Sequence, residues 1–78
     1  MEVREKVVEC ICDLLGCDSE EVVDSTKVED LGMDSLDEIE LLMVLEKEYG
    51  VNLPDELFTG NETLEEFVEI VSKTVEQN

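Results

Sequence analysis

Between about Glu2 and Leu15, apolar residues recur at Val3, Val7, Cys10, Ile11 and Leu14, the spacing of one stripe on an amphipathic helix. Glu2, Arg4, Glu5, Lys6 and Glu9 fall on its outer face, and Gly16 closes it as a C-cap glycine would. A second helical run extends from Ser35 or Leu36 to Tyr49, with Gly50 ending it. Leu41, Leu42, Leu45 and Tyr49 share its core face with Ile39 on the flank, while Leu36, Glu40, Met43 and Lys47 share the opposite face. Val51-Asn52-Leu53-Pro54 reads as a connector, and Pro54 suits the first position of a short helix or single turn over Asp55–Phe58. Thr59-Gly60-Asn61 is a turn. Thr63 and Glu66 then form a capping box for a last helix to about Val75, with Leu64, Phe67, Val68, Val71 and Val75 as its stripe. The pattern predicts an all-α fold: a small four-helix bundle, three main helices plus a short third one, with a long loop between helices one and two.

That loop, Cys17 to Met33, has no sustained period and is rich in Asp, Ser and Glu. Asp18-Ser19-Glu20-Glu21 is placed to open a short turn, and Val22, Val23, Val28 and Leu31 are expected to pin the segment to the core. No twelve-residue window between Asp18 and Glu40 meets the calcium-loop pattern of acids, central Gly and closing Glu.

Composition narrows the function. The 78 residues have room for one domain, residues 1–78, and a chain of this size buries only about 60% of its unfolded surface. Five Lys+Arg against 23 Asp+Glu give a net charge of −18, which repels nucleic acid and selects partners with basic patches. Aromatic residues are 4% of the chain and Trp is absent, which argues against a base-stacking platform. No apolar run approaches the ~18–20 residues of a membrane span and no basic-then-apolar leader opens the chain, so a cytoplasmic location is expected. Cys10, Cys12 and Cys17 have no His to complete a metal site; Cys10 and Cys12 point to different faces of one helix, and reduced thiols without a metal are expected.

The candidate chemistry lies at Leu31-Gly32-Met33-Asp34-Ser35-Leu36. Gly32 breaks what precedes it, Asp34 is a good N-cap, and Ser35 stands at a helix N-terminus, where free N–H groups and the helix dipole favour a phosphate esterified to its hydroxyl. A purely structural alternative fits the same residues, because Ser35 and Glu38 match the capping-box spacing.

Asp34-Ser35-Leu36 after Leu31-Gly32, followed by Asp37-Glu38-Ile39-Glu40-Leu41 and ending in Leu53-Pro54-Asp55-Glu56, resembles the acyl carrier proteins over nearly the whole chain. The resemblance implies a 4'-phosphopantetheine arm, supplied from coenzyme A by a phosphopantetheinyl transferase and attached to Ser35 between Asp34 and Leu36, with acyl groups carried as thioesters in fatty-acid or related lipid or polyketide synthesis. It also explains the long loop, and implies that the second helix docks on acyl-processing enzymes through basic patches on them. Asp34, Asp37, Glu40 and Glu46 are then the acidic part of the docking face, and Leu36 and Met43 the apolar part. Lys47 departs from the acid common in the family, Met33 from its frequent alanine, and Thr59-Gly60-Asn61 from its helix-compatible residues, which leaves both a specialised and a general carrier open; a monomer is expected. Peptidyl carriers usually have a glycine pair before their serine, where this chain has Gly32-Met33-Asp34, which favours acyl cargo.

No catalytic residues are expected. The chain has no His for acid–base work and no Gly-rich phosphate loop. The competing reading is an unmodified acidic interaction module for basic partners, which accounts for the charge and the exposed stripe but not for the placement of Ser35.

Overall fold

The computed structural model describes residues 3–77, so Glu2, expected in the first helix, lies outside the described residues. Three α-helices form where the 3.6-residue period predicts them: α1 (Val3–Leu15), α2 (Ser35–Tyr49) and α3 (Leu64–Glu76). Three 3₁₀ turns, Ser19–Glu21, Val28–Leu31 and Asp55–Leu57, lie in the connections, and no β-strand occurs among the described residues. The fold is all-α, but the bundle has three helices rather than four. The segment expected as a short third helix or a single turn makes one 3₁₀ turn, in which Leu57 N–H donates to the Pro54 carbonyl at 3.1 Å. It stops there because Phe58 turns inward to stack on Phe67 and Gly60 takes a left-handed conformation two residues later.

The largest fully buried side chains are Val7 and Ile11 of α1, Leu41 and Leu45 of α2, and Leu64 and Val71 of α3. Each contributes about 1.5–3 kcal/mol by leaving water. Val8, outside the predicted stripe, is buried as well. Because α1 packs against α2, α3 and the Ser19–Glu21 turn together, its covered arc is wider than one stripe. No buried side-chain nitrogen or oxygen among the described residues lacks a hydrogen-bond partner.

The long loop is irregular but tied down. Val22, Val28 and Met33 are buried and Leu31 is half-buried. Val23 corrects the expectation, being 49% exposed. Val22 has extended backbone, in which successive side chains point to opposite sides, so burying Val22 turns Val23 outward. The loop backbone also pairs with the start of α3: Val28 N–H donates to the Glu62 carbonyl, Leu64 N–H to Thr26 and Glu65 N–H to Asp24, at 2.9, 2.9 and 3.1 Å. Those last two donors belong to the first turn of α3, where a helix has no internal acceptors. The expected Thr63–Glu66 capping box supplies the next, with Glu66 N–H on Thr63 Oγ1 at 3.2 Å. Arg4 and Asp24 add an ion pair of 2.8 Å between α1 and the loop, and Lys6 reaches Glu48 of α2 at 3.4 Å. That hydrogen bond to Glu48 raises the Lys6 pKa against the opposing effect of partial burial.

Candidate functional site

The loop delivers the chain to α2 through Gly32, whose φ of +90° lies in the left-handed region where a side chain is strained. Met33 is buried and anchors the approach. Asp34 is extended and acts as the N-cap, its Oδ1 accepting from Asp37 N–H at 2.9 Å while Asp37 Oδ2 takes Asp34 N–H at a longer 3.4 Å. The capping box is therefore Asp34 with Asp37, not Ser35 with Glu38. Only the residue just before the helix can hold the extended cap conformation, and Ser35 is already the first helical residue. Its side chain is exposed, and its hydroxyl is not engaged as the cap.

Beside Ser35 lies a cavity of about 240 Å³ lined by Ser35, Glu38, Ile39 and Leu42 of α2, by Phe58, Thr59 and Gly60, and by Phe67 of α3. Leu42 and Phe67 are buried, and Phe58 stacks on Phe67 with ring centroids 4.8 Å apart. Glu62 fixes the Thr59-Gly60 rim. Its carboxylate accepts from the Thr59 N–H at 2.6 Å, the Thr59 hydroxyl at 2.9 Å and the Gly60 N–H at 3.0 Å. Partial burial alone would raise the Glu62 pKa, but these donors outweigh it and hold the carboxyl below its usual range.

Leu36, Glu40, Met43 and Lys47 are all exposed on the outer face of α2, Leu36 at 74% and Met43 at 56%. Val44, 40% exposed, extends that apolar stripe and was not expected there. Asp34 is exposed and Asp37 half-buried at the same end of the helix. Glu46 stands apart from them. It is half-buried and its Oε2 accepts from Leu53 N–H at 2.8 Å, which ties the end of α2 to the connector. The roles of Glu46 and Glu62 carry no sequence signal beyond one acid among many, because their donors are set by how the connector and the Thr59-Gly60 turn fold back.

A family model described as a phosphopantetheine attachment site matches residues 5–71, which takes in most of α1, the long loop, all of α2 and the greater part of α3. This sets the class: a small helical domain that holds a covalently attached prosthetic group. An acyl carrier protein from Thermosynechococcus vestitus is 40% identical over 75 residues, covering 95% of this chain and 93% of that protein. The chain belongs to the acyl carrier protein family.

Proposed function

We propose that Ser35 is the residue to which 4'-phosphopantetheine is attached, and that the protein carries acyl intermediates for fatty-acid or related lipid or polyketide synthesis. The observation that carries this reading is the position of Ser35: an exposed hydroxyl on the first residue of α2, with an apolar-floored cavity beside it. The donor chemistry fits the group. A phosphodiester on Ser35 lies where the helix dipole and the first N–H groups favour negative charge, since the Asp34 carboxylate takes the Asp37 N–H and not those of Ser35 or Leu36. When bound, the group supplies a terminal thiol that holds acyl cargo as a thioester.

The protein is a carrier and not a catalyst. Its residues present the attachment point, flank it with Asp34 and Leu36, and supply an address. Asp34, Asp37 and Glu40 give the address its charge, and Leu36 and Met43 its apolar contact, for a phosphopantetheinyl transferase and acyl-processing enzymes with basic docking patches. Lys47 places one positive charge in that face and narrows the set of partners. Glu46 supports the face by holding the end of α2 rather than by touching a partner. The whole chain acts as one domain, as a monomer, in the cytoplasm. No helix among the described residues is long and apolar enough to cross a membrane.

The test is incubation with coenzyme A and a promiscuous phosphopantetheinyl transferase, read by intact mass and fragmentation. The native chain gains one phosphopantetheine on Ser35 and Ser35→Ala gains none. Labelling that survives Ser35→Ala overturns the assignment, and a folded native chain that is never labelled favours the unmodified interaction module.

A further inference from the structure

Two of the three cysteines meet in a place that the carrier function does not use. Cys12 lies in the last turn of α1, and Cys17 is the first residue beyond Gly16. On a continuous helix, residues five apart would lie about 140° apart around the axis and could not touch. The chain instead turns back at Gly16, where φ is +69° and the N–H donates to the Cys12 carbonyl at 2.7 Å. The Cys17 thiol consequently donates to Cys12 Sγ at 3.8 Å, close to van der Waals contact. Both are free, half-buried thiols, and both line a groove of about 420 Å³ with Arg4, Val8, Glu9 and Ser19 among its other walls. Cys10 is buried on the core side of the same helix and has no part in the groove. No residue of this groove lines the cavity beside Ser35.

We propose that Cys12 and Cys17 are a modification site that closes to an intramolecular disulfide, stapling the end of α1 to the start of the long loop. The co-reactant is a hydroperoxide. One sulfur attacks a peroxide oxygen, the O–O bond breaks, and a sulfenic acid and one water result. The second sulfur attacks the sulfenic sulfur, the S–S bond forms, and the displaced hydroxide leaves as a second water with the remaining thiol proton. Each sulfur is oxidised by one electron and the peroxide is reduced by two. Burial raises the Cys12 pKa to about 11, so Cys12 is a thiol at neutral pH. In a reducing compartment the pair stays open, and it closes when hydroperoxide rises.

The full chain, with and without the group on Ser35, is treated with hydrogen peroxide, quenched in acid, alkylated after unfolding and mapped. Cleavage at Asp13 separates the two cysteines, so the fragments on either side stay joined only by the disulfide. The expected result is a Cys12–Cys17 cross-link within one chain, Cys10 fully alkylated, and a melting temperature about 5–15 °C above that of the reduced protein, as closure of so small a loop gives. A reductant reverses all of it. Cys12→Ser and Cys17→Ser each abolish the cross-link and the shift, and Cys10→Ser keeps both. A cross-link to Cys10 or between chains, sulfinic acid without a cross-link, or a cross-link without a rise in melting temperature overturns the proposal. The native chain alone yields these outcomes, so a variant that fails to fold leaves the test intact.

Discussion

Glu46 ties the end of α2 to the connector that follows it. Its side chain accepts the Leu53 N–H at 2.8 Å, and its own carbonyl takes the N–H groups of Gly50 and Val51 at 2.8 and 3.3 Å. Leu53 is 2% exposed, so little water can replace a deleted carboxylate at its N–H. Glu46→Ala leaves that donor unsatisfied, at about 1–3 kcal/mol, partly offset by the better helix propensity of alanine, about 0.4 kcal/mol. The net expectation is a loss of about 0.6–2.6 kcal/mol, or ~3–20 °C in melting temperature for a domain of this size. Glu46→Gln keeps an oxygen in place and loses only the charge assistance, half of that or less. Urea unfolding followed by circular dichroism gives both values, and the rate of transferase labelling gives the second readout. Alanine within about 0.5 kcal/mol of the native chain, or glutamine as damaging as alanine, refutes the hydrogen-bond account. Glutamine that slows labelling several-fold at unchanged stability refutes the supporting role.

The core and the outer face of α2 should differ sharply: Leu45→Ala, fully buried, costs about 2–5 kcal/mol in urea unfolding, while Leu36→Ala, 74% exposed, stays within about 0.5 kcal/mol and slows labelling instead. Glu62 has a folded-state pKa below its unfolded value, so its contribution is fully present above the unfolded pKa of about 4.3 and is lost as pH falls through the folded one. Glu62→Gln should therefore narrow its stability deficit as pH falls through that window, and a deficit that does not change with pH would count against the three hydrogen bonds as its cause. Self-repulsion from a net charge of −18 predicts a melting temperature that rises with sodium chloride and, at matched ionic strength, further with magnesium; a flat response would show that the repulsion is already dissipated.

The three helices were legible because each combines an apolar period with a residue that stops or starts it: Gly16 and Gly50 as left-handed ends, Asp34 and Thr63 as caps. Ser35 was legible for the same reason, since its place is fixed by the cap before it. The long loop resisted because no period says which valine turns inward. Val28 is buried beside a backbone pairing with Glu62 that no local spacing announces, whereas Val23 is turned out by its neighbour. Cys12 and Cys17 read as two unrelated thiols because their meeting depends on the backbone turn at Gly16 rather than on helical spacing. Among so many carboxylates, Glu46 and Glu62 acquire individual roles only once the connector and the Thr59-Gly60 turn are in place.

The pairing of the loop with the start of α3 bears on the order of events in the life of the chain. The segment that leads into Ser35 is anchored through Asp24, Thr26 and Val28 to residues 62–65. During synthesis those anchors emerge well after the serine they steady. A nascent chain that has just exposed Ser35 still lacks this fixed approach to α2, and so does any fragment cut off before Glu62. The placement of Ser35 thus depends on residues 62–65, and the start of the last helix steadies a serine made well before it.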